Sequence, residues 1–252
     1  MNLMLLPEQT ATLDLDSQDP RYLHLAEVLK AGVGDVIDVG VANGPRGKAT
    51  VIRMDERGLQ LGIAWKAQID PAVLTIDLIV GLPRPQTARR ILREATSLGV
   101  RRICFFQSGK GEKSYRDSRL WRTEEWRRAL LEGAEQAFHT HVPEVTHFNG
   151  IQQALSEGAI ADERLALDIY EADSSLPLAV TNMQDRSSIS LAIAAERGWN
   201  AAERSLLRDQ NFQMVHLGPR VLRTEAAVIA ALCVVAASQG YWDAPFAPQP
   251  DR

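Results

Sequence analysis

The chain has 252 residues, 45% of them hydrophobic and 24% charged, with a formal net charge of −4 at pH 7. That length permits one large domain or a small one beside a medium one, and the composition excludes a disordered, collagenous or disulfide-scaffold protein. The average charge, taken alone, argues against a nucleic-acid partner.

Up to about Ala67 the sequence reads as short strands divided by turns. An amphipathic helix is predicted over residues 21–30, with Leu25, Val28 and Leu29 on one side and Asp19 placed to cap it. Strands are predicted over 35–41, 48–54 and 59–65, the first two joined by a turn at 43–47 (NGPRG). Such short strands with glycine turns point to a small barrel or curled sheet. Residues 67–72 read as a linker, so the predicted domains are 1–70 and 71–252.

From residue 73 onward strand and helix alternate. Apolar, β-branched runs predict strands at 74–80, 100–106, 164–170, 188–194 and 212–217. Helices are predicted at 87–98, with Gly99 closing it, at 124–138 and at 224–237. The last is rich in alanine and valine and is expected to be buried on most sides. Interleaved strands and helices imply an α/β domain with a mainly parallel sheet. Cys104 and Cys233 lie in apolar runs, as buried thiols of a reducing compartment would. No apolar run approaches the ~20 residues of a membrane helix. The first residues carry neither a basic region nor a cleavage site. A soluble, cytoplasmic protein without membrane contact is expected.

The charge is unevenly spread. Residues 84–128 hold 13 Lys and Arg against 5 Asp and Glu, a balance of +8, which leaves −12 for the rest of the chain. Two readings stand: solvated helix faces, or a basic footprint for a polyanion on an otherwise acidic protein.

Several chemistries have no motif here. The sequence has no GxGxxG after a strand, no GxxxxGK[ST] loop and no GxSxG elbow. The five histidines (His24, His139, His141, His147 and His216) do not pair with cysteines at zinc spacing, and no metal site is predicted. What remains are two glycine turns after late strands, in SISLAIAAERGW (188–199) and MVHLGPRVLRTEAA (214–227). Ligands of open α/β sheets sit beyond the carboxyl ends of strands. Gly198 and Gly218 would let the backbone approach one closely, while Arg220, Arg223 and Glu225 flank the start of a helix. An ordinary αβ corner with Thr224 as N-cap explains the same residues.

Those residues also carry a resemblance. LGPRVLRTEAAVIAAL resembles the C-terminal L-G-x-R-I/V-L-R-x-E-T-A motif of the RsmE-type 16S rRNA (uracil-N3)-methyltransferases, of the SPOUT class. LPRPQTARRILREATSLGVRRI (82–103), EKSYRDS (112–118), EGAEQAFHTHVPEV (132–145) and the H-L-x-x-V-L-x-x-x-x-G-D pattern from His24 to Asp35 resemble other family segments in the same order. The resemblance implies an N-terminal PUA-like β-barrel that binds RNA. It implies a knotted SPOUT domain whose C-terminal trefoil knot binds S-adenosyl-L-methionine, and a homodimer that builds the active site. Carried over by position, Leu167, Ile193, Glu196, Gly198, Leu217, Gly218 and Leu222 would bind the cofactor, and Arg220, Arg223 and Glu225 would be catalytic. Arg84, Arg89, Arg90, Arg93, Lys110, Lys113 and Arg116 would meet 16S rRNA of the small ribosomal subunit. The chain departs from the family at Gly-Pro-Glu-Gly-Gly, which reads Ala194-Ala195-Glu196-Arg197-Gly198 here, and at Ser97, where a carboxylate is usual. The first departure keeps a catalytically weakened RNA-binding or assembly factor as the alternative. A small-metabolite enzyme would leave the +8 segment and the barrel without a purpose.

Overall fold

The computed structural model describes residues 3–69, 74–158 and 160–243. It divides into two compact units, the first built from the N-terminal region together with Ala134–Val142, and the second from the remainder.

The first unit holds β1 (Met4–Leu6), β2 (Thr12–Asp16), α1 (Pro20–Leu23), β3 (Val36–Val41), β4 (Pro45–Asp55) and β5 (Gly58–Ile69). They form one sheet in the order β1-β3-β4-β5-β2, antiparallel except for the β1–β3 pair. Asp19 caps α1, its carboxylate accepting from the Arg21 amide at 2.8 Å. The predicted helix changes character halfway, however: after α1 the chain winds as a π-helix over His24–Val28. The predicted turn at 43–47 is also shorter than expected. Asn43 takes a left-handed φ of 53°, and Pro45 already pairs with Ile69. Because β5 extends to Ile69, the start of the predicted linker is strand; its remainder, 70–72, lies outside the described residues. Val39, Ala49, Val51, Leu59 and Leu61 alternate inward and pack with Leu25 as the core of this unit.

The second unit is a seven-stranded sheet in the order β10-β12-β9-β11-β6-β7-β8, parallel throughout. Its elements are β6 (Leu74–Gly81), α2 (Pro85–Ser97), β7 (Val100–Phe106), α3 (Arg119–Arg122), α4 (Glu125–Gln136), β8 (Glu144–Phe148), α5 (Ile151–Glu157), β9 (Glu163–Leu167), β10 (Ser174–Ser175), α6 (Leu176–Thr181), β11 (Ile189–Ile193), α7 (Ala201–Asp209), β12 (Gln213–His216) and α8 (Thr224–Ser238). The α/β class with a mainly parallel sheet is as expected. The central strands β6 and β11 are apolar nearly throughout because helices cover both faces. β8, α3, α5, α6, α7 and the two-residue β10 were not predicted. Among the described residues no helix is long and apolar enough to cross a membrane.

Two local features explain sequence oddities. Ser97 donates to the carbonyls of Arg93 (3.1 Å) and Gly133 (3.0 Å), so it joins α2 to α4. A Cβ at Gly133 would lie 2.3 Å from the Arg93 carbonyl oxygen, so only glycine permits that approach.

Candidate functional site

Strands numbered 6, 7 and 8 run one way across the sheet, whereas 11, 9 and 12 lie on the other side of β6. Beyond the carboxyl ends of β9, β11 and β12 the loops enclose a cavity of about 690 Å³, within the usual range for a small-molecule site. All seven residues assigned to the cofactor (Leu167, Ile193, Glu196, Gly198, Leu217, Gly218 and Leu222) line it, and so do Arg220, Arg223 and Glu225. Three segments distant in sequence thus converge on one space.

Each loop is held by its own chemistry. Gly198 adopts φ +66° and its N–H donates to the Ala195 carbonyl at 2.9 Å, which closes the turn after β11. Gly218 adopts φ +99°, and its N–H donates to His216 Nδ1 at 3.0 Å. Both positions disfavour an L side chain, and a Cβ at either would meet no atom within 4 Å. Their backbones therefore border open space in the cavity wall. Thr224 is the first residue of α8 and is buried; Arg223 holds the N-cap position and caps nothing with its side chain. The predicted Thr224 cap is thereby replaced, and the N-cap side chain makes no hydrogen bond to the start of α8.

Electrostatics divide the site. Arg220 and Arg223 are exposed and have no ion-pair partner among the described residues. Glu225 faces Arg90 of α2, Oε1 to Nη1 at 3.5 Å, rather than either of those arginines. Asp168, 5% exposed, pairs with Arg204 and accepts from the Tyr170 amide at 2.8 Å. Burial pushes the Asp168 carboxyl up, but the Arg204 and Tyr170 hydrogen bonds outweigh it and hold the group below the usual carboxylate value. The same pair raises Arg204.

The basic segment is less uniformly available than its composition indicates. Arg84 lines the cavity, and its side chain has no carboxylate partner among the described residues. Arg89, Arg90 and Arg93 share the exposed face of α2 but lie 3.7, 3.5 and 2.7 Å from Glu132, Glu225 and Glu94. Exposed pairs of this kind are worth little and can exchange for phosphates. Arg101 and Arg102 both serve the buried Asp77. Lys113 and Arg116 sit on an exposed 3-10 turn over Lys113–Asp117, and Arg116 donates to Asn149. Lys110 is exposed, but its ammonium is engaged by the chain itself and donates to the Trp199 carbonyl at 2.8 Å.

Several wall residues were missed by sequence reasoning. Asp168 and Tyr170 read as the end of a strand, but β9 stops at Leu167 and the Asp168 side chain folds the chain into an Asx turn. Arg204 lies on α7, whose Asn200-x-x-Glu203 capping box was a legible start signal. Trp199, 2% exposed, donates its indole N–H to the Leu167 carbonyl at 2.8 Å and so ties two of the cavity loops together.

Residues 70–236 match the RNA methyltransferase domain family. The chain is 32% identical over 250 residues to the ribosomal RNA small subunit methyltransferase E of Treponema pallidum, covering 96% of this chain and 93% of that protein. The fold is similar to the ribosomal RNA small subunit methyltransferase E of Neisseria gonorrhoeae solved with S-adenosyl methionine (TM-score 0.74, 24% identity, 94% of this chain and 97% of that one). It is also similar to a methyltransferase from Legionella pneumophila solved with the same cofactor (TM-score 0.77, 21% identity, 94% and 97% covered). By the domain match and the full-length similarity, the chain belongs to the ribosomal RNA small subunit methyltransferase E family.

Proposed function

We propose that the protein transfers the methyl group of S-adenosyl-L-methionine to N3 of a uridine in 16S rRNA of the small ribosomal subunit, in the cytoplasm and as a homodimer. The observation that carries this reading is the convergence of segments 167–170, 193–199 and 215–225 on one cavity that includes every expected cofactor and catalytic residue. A cavity of about 690 Å³ walled by two side-chain-free glycine turns suits a nucleoside-sized group held largely by backbone. Leu167, Ile193, Glu196, Gly198, Leu217, Gly218 and Leu222 would hold it. When bound, the cofactor supplies an electrophilic methyl on a sulfonium sulfur.

The remaining chemistry falls to the chain. Uracil N3 must lose its proton, and negative charge then grows on the carbonyl oxygens. Arg223 or Arg220, both unneutralised, would stabilise that charge. Glu225 would act by orientation, through Arg90, more readily than as a base. The target base must be unstacked to enter. Arg84, Arg89, Arg90, Arg93, Lys113 and Arg116 would meet phosphates, so binding should weaken steeply with salt.

The same reading carries a SPOUT-type trefoil knot formed by the segments around the cavity, and a PUA-like barrel formed by the five-stranded sheet. An apolar row along α8 (Ala226, Ile229, Ala230, Cys233, Val234 and Ala237) is partly or fully exposed, which supports a homodimer through that helix. The alternative, a factor that has lost catalysis, is motivated by the altered 194–198 loop. Against it, Gly198 keeps its left-handed turn and Glu196 its hydrogen bond to Arg84, while Arg197 lies exposed.

Mass spectrometry of 16S rRNA from a strain lacking the gene tests the reaction. Loss of one 3-methyluridine is expected, and an unchanged 3-methyluridine content overturns it. Calorimetric titration with S-adenosyl-L-methionine tests the cofactor: micromolar-range binding is expected, and none at millimolar ligand favours the non-catalytic alternative.

A further inference from the structure

We infer that Lys110 is a positioning residue of the cofactor loop rather than a phosphate contact, an assignment that rests on the function proposed above. Its ammonium donates to the carbonyl oxygens of Trp199 (2.8 Å) and Arg197 (3.4 Å), which belong to the turn after β11 that walls the cavity.

The ammonium does not stand alone. The loop that follows β7 is fastened to the same turn by the buried Glu203, 4% exposed. One oxygen of Glu203 accepts from Ser108 Oγ at 3.0 Å and from the Gly109 N–H at 2.8 Å. Its other oxygen accepts from the Asn200 N–H at 2.9 Å, completing the capping box of α7. The two loops approach so closely that a Cβ at Gly109 would lie 2.5 Å from Asn200 Nδ2. Lys110 thus projects toward the Arg197 and Trp199 carbonyls from a backbone that is already fixed by its neighbours. The Trp199 ring, stacked on Phe106 at 5.9 Å, passes the restraint to the Leu167 carbonyl on the neighbouring cavity loop.

A phosphate contact and a loop clamp leave opposite signatures. Removing a phosphate contact weakens RNA binding, lowers the salt slope by about one ion and leaves cofactor affinity alone. Removing the clamp loosens the cavity wall and leaves the salt slope unchanged. Lys110→Met keeps the apolar stem and deletes the ammonium. It should raise the dissociation constant for S-adenosyl-L-methionine about tenfold, the equivalent of one charge-assisted hydrogen bond. It should also speed amide hydrogen exchange at residues 196–199. Lys110→Arg retains donors and should recover part of both effects.

The experiment is calorimetric titration of the full chain with S-adenosyl-L-methionine, beside salt-dependent binding of a 16S rRNA fragment. Wild-type binding with a tenfold loss in Lys110→Met and an unchanged salt slope supports the clamp. Wild-type binding with equal cofactor affinity in the variant, or a salt slope reduced by one, overturns it. Failure of the wild-type protein to bind the cofactor overturns instead the proposed function on which the clamp rests.

Discussion

The carboxylate of Glu196 accepts a hydrogen bond from the main-chain N–H of Arg84 at 2.9 Å, which joins the turn after β11 to the start of α2. Arg84 holds the N-cap position of that helix, its side chain caps nothing, and Pro85 follows without an N–H. Glu196 therefore places its negative charge where a helix start favours it. Glu196→Ala should cost about 1 kcal/mol of stability and weaken cofactor binding, while Glu196→Gln, which keeps an acceptor, should preserve most of the stability. Thermal melts and calorimetric titration of both variants check this. Full cofactor affinity in Glu196→Ala would confine the residue to holding the helix.

Arg223 and Arg220 differ from the other arginines of the α2 face and cavity rim in lacking a carboxylate partner among the described residues, with Arg84 and Arg197 as their only like neighbours in the wall. An unneutralised guanidinium is most useful where charge appears only in the transition state. Arg223→Ala should abolish turnover and leave cofactor affinity within about twofold of wild type. Single-turnover methylation of rRNA beside cofactor titration separates the two quantities. An unchanged methylation rate removes Arg223 from the mechanism.

Much of this was legible in the sequence where pattern and burial agree. The apolar stretches of β6, β7, β9, β11 and β12 were visible because strands covered on both faces are largely apolar, even though β7 carries Arg101 and Arg102 and β9 opens on Glu163 and Arg164. β8 was not, since Val145, Thr146, His147 and Phe148 are all half-buried at the sheet edge and show no alternation. The π-helical turn at His24–Val28 has the same apolar spacing as an α-helix and could not be separated from one. Leu167, Ile193, Glu196, Leu217 and Leu222 were named only through family motifs, because the cavity is assembled from separate loops at 167–170, 193–199 and 215–225, whereas the glycine turns already drew attention to Gly198, Gly218, Arg220, Arg223 and Glu225. Lys110, expected at a phosphate, is proposed as a loop clamp instead, and its contacts were hidden for a related reason. Its acceptors lie 87 and 89 residues away, so composition showed a cation among cations and could not show what it binds.

The half-buried His147 and the buried Asp168 set two separate acid windows. Burial, with the nearby Arg116 charge, pushes His147 down from 6.5 to about 4, its ring lying against Trp121 and Phe105. The folded protein thus refuses a proton that the unfolded chain takes up near pH 6.5. Stability from this group is complete above that pH, declines as pH falls toward 4, and changes no further below. The shift bounds the loss at about 3 kcal/mol, reduced by partial solvent exposure. Asp168 behaves differently because its folded value lies below 3.8. Its contribution is present above 3.8 and is lost only as pH falls through the lower folded value. Urea midpoints measured from pH 7 downward should show both declines. His147→Phe should flatten the first and Asp168→Asn the second, and a first decline that survives His147→Phe would assign it to another group.

Gly198 separates conformational cost from occupancy of the site. At φ +66° an alanine is strained by about 1 kcal/mol, yet its Cβ would meet no atom of the protein within 4 Å. Gly198 itself lines the cavity. Gly198→Ala should therefore lower the melting temperature by only a few degrees while reducing S-adenosyl-L-methionine affinity by more than that strain accounts for. Gly34 supplies the control: its φ of +94° also disfavours alanine, its Cβ position is equally open, and it lies outside the cavity wall. Gly34→Ala should show a similar loss of stability with unchanged cofactor affinity. If the two variants bind the cofactor alike, the turn at Gly198 shapes the loop without bordering the ligand.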